Sequence, residues 1–459
     1  MSRKPMFFIL TFIAFILIVG MACGIPKKGD PTATPAPPTA APATKEASQE
    51  PTTQVITQEP VVGTGGKSAD GLTLLDNYIF IQDETDLSTF LFLRNDDAEN
   101  VYLDIQYTIH AYDAAGAQVE NDSTTIGFLA PGDTIGMVNE LWLDEGVTVD
   151  KIEVDWIIES KESMPDYTDP FDFKNAKYYD DDGWKYLTGV ITNSDILTYT
   201  DLRVSAIAFD ASGKIIGGGY AYADFIPSED QVGVSVYSTI IGDPVKIEFY
   251  PMVHSYSTTY EDGDWWGNLD VIDFGFVQDG TEVGGGVLLK NLTDKLIKDT
   301  EFYMTIYDVE GNVCGADSGY IDYIWPGETL GFSPGATYIP SNSVPENVDL
   351  IIMPGEFAEH ELSGSPLVSE GHTFKQDEYW STVTVKLKNT LNKTVTDTYV
   401  SVLLLDADGL VIGGGSGWPE DFEANGTQEL EIFVTYTGTE EPASIVVYPG
   451  ITTWTEIGE

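Results

Sequence analysis

Residues 206–219 read AIAFDASGKIIGGG, and residues 401–415 read SVLLLDADGLVIGGG. Both run an apolar segment into an Asp, place a glycine three residues later, and return through a second apolar segment to three glycines. An Asp at the end of a strand with a glycine at that spacing suits a type I hairpin turn whose glycine sits in the left-handed region as a bulge. Two hairpins of one design predict a repeated unit, and two more copies follow from the same marks. The Asp series is Asp113, Asp210, Asp308 and Asp406, and the glycine series is Gly116, Gly213, Gly311 and Gly409.

Upstream of each hairpin the pattern holds. Asp83, Asp181, Asp279 and Asp377 advance by 98 residues at every step, as do Asn95, Asn193, Asn291 and Asn389. Each Asn stands where a strand ends, a position that suits bonding to local backbone. A second turn follows in LAPGDTIGM, IPSEDQVGV, WPGETLGF and EANGTQELEI, and each unit closes on a strand such as KIEFYP or SIVVYP. Short strands, regular turn signals and a unit near one hundred residues predict an all-β fold, with four tandem β-sandwich domains of six to eight strands each. Their expected spans are residues 72–160, 174–253, 270–355 and 373–459, joined by polar connectors as four beads in series.

The amino-terminal part differs in kind. Arg3 and Lys4 precede an apolar run over residues 6–22, and small residues lead into Cys23. A basic head, an apolar core and a small-residue break make a secretory signal over residues 1–23. The stretch resembles a bacterial lipoprotein signal, which implies lipidation of Cys23; an uncleaved membrane anchor is the alternative. Either way the chain is expected to be extracytoplasmic and held at the cell membrane. Residues 24–71 are rich in Pro, Thr and Ala and read as a disordered linker.

Residues 305–332 of the third unit and 206–234 of the second carry a strand ending in an aromatic and Asp, a glycine turn, an aliphatic pair and a later polar turn. In these features they resemble the FxLYD domain of bacterial exported and lipid-anchored proteins. The resemblance implies small immunoglobulin-like sandwiches outside the cell and brings no catalytic residues.

Charge excludes one class of partner. The chain has 74 Asp and Glu against 22 Lys and Arg, a formal charge of −52, and only three arginines. Nucleic acid binding needs clustered cations, so it is not expected. Cys314, the only cysteine besides Cys23, replaces the apolar Ile216 and Ile412 of sister units and is expected to behave as a small buried hydrophobe.

Catalytic signals fail on inspection. GFSPG around Ser333 has the spacing of a nucleophile elbow, but Pro334 offers no N–H to an oxyanion. The four histidines lack metal-ligand spacing. One connector, DGDWWGNLDVID, puts Asp262, Asp264, Asp270 and Asp273 in a calcium-loop register, although Trp266 occupies a ligand position. Calcium is therefore the one cofactor that the sequence suggests. Trp184, Trp265, Trp266 and Trp380 are candidate sugar-stacking faces, Trp184 and Trp380 sharing one position in their units. The expected function is that of a non-enzymatic, membrane-tethered interaction or spacer module whose partner is a surface protein or glycan. The alternative is a ligand-binding lipoprotein that takes a glycan, a peptide or calcium.

Overall fold

Hairpin chemistry builds the units as the spacing predicts. In each turn the Asp carbonyl accepts the N–H of the glycine three residues on, at 2.9 Å for Gly116, 3.0 Å for Gly213, 2.9 Å for Gly311 and 3.1 Å for Gly409. Those glycines have φ of 81°, 80°, 78° and 84°, a region that costs a side chain energy and glycine nothing. The Asp carboxylate caps the turn: Asp210 Oδ1 accepts from the N–H groups of Ser212 and Lys214, and the other three repeat this bond for bond.

The computed structural model describes residues 61–62, 68–181, 183–254, 256–261, 264–377 and 380–458, and over them the protein is all-β with four tandem sandwiches. The six principal strands of the second repeat are Phe171–Asp181, Trp184–Asn193, Leu197–Phe209, Ile215–Ile226, Gln231–Tyr237 and Lys246–Met252. The first, second and fifth form one antiparallel sheet; the fourth, third and sixth form the other. The remaining repeats keep this order, and among the described residues no sheet takes strands from two repeats. In the third repeat the fifth strand is broken into Thr329–Phe332 and Ala336–Tyr338, at the point where Pro334 cannot donate to a ladder.

The repeated Asn ties the two sheets together. Asn291 is fully buried, and its Nδ2 donates to the carbonyls of Lys295 (2.8 Å), Ile324 (3.0 Å) and Trp325 (3.0 Å). Its Oδ1 accepts from the Thr293 N–H at 2.9 Å. Asn95 and Asn193 make the same set. Asn389 reaches only Lys393 and Glu423, because Ala424, Asn425 and Gly426 replace the proline turn there. Such a side chain satisfies carbonyls that would otherwise be buried without donors.

The beads are not separate. The described residues from 68 onward belong to one compact unit, and each repeat lays its first–second–fifth sheet on the fourth–third–sixth sheet of the next. The third strand of the second repeat shows why. Leu202, Val204, Ala206 and Ala208 fill its own core, while Ile207 and Phe209, on the opposite face, pack with Ile79, Phe90 and Phe92 of the first repeat. A strand buried on both faces reads as a continuous apolar run. Glycines admit the neighbour: Gly136, Gly233 and Gly331 of the fifth strands lie against Ile207, Thr305 and Leu403, and a Cβ at any of them would overlap atoms of the next repeat.

Hydrogen bonds cross at the same places. The Val138 N–H donates to Ser205 Oγ (3.1 Å), Gly233 N–H to Thr305 Oγ1 (2.9 Å), and Ser333 N–H to Ser401 Oγ (3.2 Å). Arg203, one of the three arginines, is buried in the first junction, where it donates to Val138 O at 2.7 Å and lies over the Tyr220 ring. The two outermost sheets carry mainly polar side chains instead, with Ile157 on the first and Phe433 on the last as exposed apolar exceptions. In the first repeat Gln106, Thr108 and His110 occupy the outward positions, with Thr108 bonded to Ser123 at 2.8 Å. In the fourth, Lys386, Glu429 and Glu431 do so, with Lys386 paired to Glu370 at 2.9 Å.

The expected connectors contain strand. Near 159–173, 252–270 and 355–373 the sixth strand of the first repeat runs to Ser163, Thr259–Glu261 and Glu356–Ala358 add to their sheets, and Leu269 and Leu367 already open new ones. These edge segments are charged because one face meets water, which is why they look like linkers. The linker expected over residues 24–71 overlaps described strands, since Val61–Val62 pairs with Phe80 and Ile79, and Ser68–Ala69 with Thr73 and Leu72. Cys23 and the signal segment lie outside the described residues.

Candidate functional site

The triple glycines let the fourth strand bend toward the other sheet. A Cβ on Gly217, at φ 143°, would overlap the Thr239 carbonyl, and one on Gly415 would overlap that of Phe433. Gly414 and Thr435 exchange two backbone bonds, 3.3 and 2.9 Å, across the sandwich edge. The third repeat carries its own run, Gly284, Gly285 and Gly286, in its second strand, and a Cβ on Gly414 would come within 2.6 Å of the Gly285 carbonyl. Two glycine runs therefore meet at the junction of repeats three and four, where they are buried and let the two backbones approach closely.

Beside them opens a cleft of about 690 Å³. Repeat three contributes the turn from Asp279 to Glu282; repeat four contributes Trp380, Phe433 and the hydroxyl residues Ser381, Ser416 and Thr435. Trp380 and Phe433 meet edge to face, with ring centroids 6.1 Å apart and planes at 90°, a pairing that holds the indole in one orientation. Both rings stay exposed, at 55% and 62%. Asp279 and Glu282 are exposed carboxylates. The arrangement offers a flat aromatic face, anionic acceptors and neutral hydroxyls, which is binding chemistry rather than bond-making chemistry.

The candidates named from sequence fall in different places. Trp184 holds the same position in repeat two, 60% exposed and packed on Tyr237 with centroids 5.4 Å apart. Trp266 lies in a short 3-10 turn, Asp264–Asn268, half-buried against the core of repeat two. Trp265 shares that turn. Trp184, Trp266 and Trp380 do not form one surface.

Over its described residues, 264–273, the acidic connector is a 3-10 turn followed by the start of a strand. Asp270 and Asp273 lie on the strand Leu269–Asp279, and the Asp273 carboxylate accepts the Val411 N–H of repeat four at 2.7 Å. Asp264 opens the 3-10 turn, and Asp262 lies outside the described residues. Among the described residues no three His, Cys, Asp or Glu gather as a metal set.

Ser333 and Cys314 have structural roles. Ser333 is buried and donates its hydroxyl to Gly285 O at 2.6 Å, next to the junction bond that its N–H makes. Cys314 is buried, and desolvation pushes its thiol up to about 12. Sequence reasoning found Trp380 through its shared position with Trp184 but missed Phe433, Tyr237, Asp279 and Glu282. Their only signal was the spacing of 196 residues between Tyr237 and Phe433. No family model matches the chain, and no curated protein matches it.

Proposed function

We propose that this chain is a lipid-anchored, extracytoplasmic, non-enzymatic spacer and interaction module built from FxLYD-like sandwiches. One observation carries the reading: all three junctions are sheet-on-sheet contacts with apolar packing and a recurring cross-bond, while the two outermost sheets are mainly polar. Repeats joined in this way move together, so the module holds whatever it presents at a fixed distance from its tether. The consumption of Ser333 and Cys314 in packing supports a non-catalytic role.

Two measurements test it. Mass spectrometry of the mature amino terminus from the native host is expected to find a lipidated Cys23 with residues 1–22 removed. Small-angle scattering is expected to give a maximum dimension that does not change between low and high salt. An intact leader on an unmodified Cys23, or a salt-dependent dimension showing loose beads, would overturn the anchored and the stiff parts respectively. A second reading, ligand binding by the same anchored chain, is favoured by the cleft at Trp380.

A further inference from the structure

The aromatic pair and acidic turn of the third junction have counterparts at the first, where Trp184 packs on Tyr237 with ring centroids 5.4 Å apart. Trp184 and Trp380 are 196 residues apart, and so are their ring partners Tyr237 and Phe433. In the odd repeats the Trp position is acidic, Asp86 in the first and Glu282 in the third. Stacking then brings an acidic turn from an odd repeat to the aromatic pair of the even repeat that follows. At the third junction Asp279 and Glu282 share the cleft with Trp380 and Phe433. At the first, the Tyr237 phenol is raised by burial and then by the nearby carboxylates of Glu140, Asp83 and Asp86. The middle junction lacks the combination, because repeat three has Glu282 and Gly335 where the aromatics would stand.

We propose that these two junctions carry paired sites for one uncharged, chain-like glycan. The C–H face of a pyranose stacks on the exposed indole and its hydroxyls donate to the carboxylates, with Ser416 and Thr435 adding hydroxyls at the third junction. Anionic sugars and phosphates meet carboxylates in a chain of charge −52 and are repelled. A cationic peptide would use the carboxylates and leave the exposed aromatic pair and the hydroxyls without a task. Two copies separated by two repeats suit a polymer, since engaging the second site is intramolecular once the first is filled.

The test uses the purified full-length chain with cellohexaose, N-acetylchitohexaose and maltohexaose as probes, followed by calorimetry and tryptophan fluorescence, with hexagalacturonate and hexalysine as charged comparators. At least one neutral hexaose is expected to bind at two sites per chain. W184A and W380A each halve the stoichiometry, and the double variant abolishes binding. On the matching insoluble polymer either single variant loses roughly tenfold or more in retention, because avidity is lost with the second site. E282K, at an exposed position, weakens the third-junction site alone and serves as a variant with no packing role. Silence from all three neutral hexaoses, binding that survives the W184A/W380A pair, or Trp-dependent binding of hexalysine alone would overturn the proposal.

Discussion

Replacing Asn291 by Ala tests the claim that one side chain pins the two sheets of each repeat. Asn291 is fully buried, gives three hydrogen bonds to carbonyls at 2.8, 3.0 and 3.0 Å, and accepts one from the Thr293 N–H at 2.9 Å. A buried hydrogen bond is worth about 1 kcal/mol net, and a carbonyl left dry costs about 1–3 kcal/mol, so Asn291→Ala is expected to cost about 3–5 kcal/mol. Asn389→Ala removes only two carbonyl bonds and the Leu391 N–H bond, and is expected to cost about 2–3 kcal/mol. Asn291→Asp sharpens the test, since a carboxylate would turn an acceptor toward three carbonyl oxygens. Such a group has a raised folded pKa, so the lost stability should return in part as pH falls and the protonated oxygen regains one donor. Urea denaturation followed by circular dichroism reads all three. A cost under about 1 kcal/mol for Asn291→Ala, or a larger cost at Asn389 than at Asn291, would refute the reasoning.

Other expectations concern the junctions and the buried ionisable groups. Gly233→Val puts a side chain into Thr305 and Val313 of the next repeat, so a single calorimetric transition should split into two; an unsplit, unshifted transition would show that the junction tolerates the volume. Burial pushes the Glu301 carboxyl up to about 8, with Asp224, Asp201 and Asp299 adding to the shift, and its Oε2 has no hydrogen-bond partner. Its folded pKa lies above the unfolded value of about 4.3, so it draws stability down as pH rises from that value through about 8. Glu301→Gln should therefore flatten the fall in urea midpoint across that window relative to wild type. The Tyr320 phenol, which faces Glu301 and is itself raised by burial, titrates above the window. Cys314 should be inert to a thiol reagent at pH 8 in the native protein and react on unfolding; fast native labelling would contradict its burial.

Turn chemistry was the legible part of the sequence. Asp210 with Gly213, and its three sisters, announced the hairpins because a left-handed glycine and a capping Asp leave a local mark that tertiary context does not change. The stacking of repeats was less visible. Residues 206–209 are apolar in both phases, which signals burial on both faces, whereas the matching stretch of the first repeat alternates as Gln106, Thr108 and His110 face outward. First strands such as Phe171–Asp181 looked like linkers because most of their side chains meet water. The calcium register over residues 262–273 ran across a 3-10 turn into a strand, a boundary that spacing alone does not mark. The cleft was half legible: Trp380 had a periodic twin, but Asp279 and Glu282 come from another repeat, and no local pattern pairs them with it.

Polar outer sheets fix how such a protein can change in length. A fifth sandwich appended beyond residue 458 would have to settle on Lys386, Glu429 and Glu431, and one placed ahead of residue 72 would meet Gln106, Thr108 and His110. Neither surface offers a glycine-floored, apolar seat like those at Gly136, Gly233 and Gly331. Growth in the interior keeps the existing seats, and the alternation of acid and indole at 86, 184, 282 and 380 makes the insertable quantum a couple of sandwiches rather than one. A shorter version made by excising residues 174–369 should close on itself as a two-member column, and an excision out of phase by one member should not.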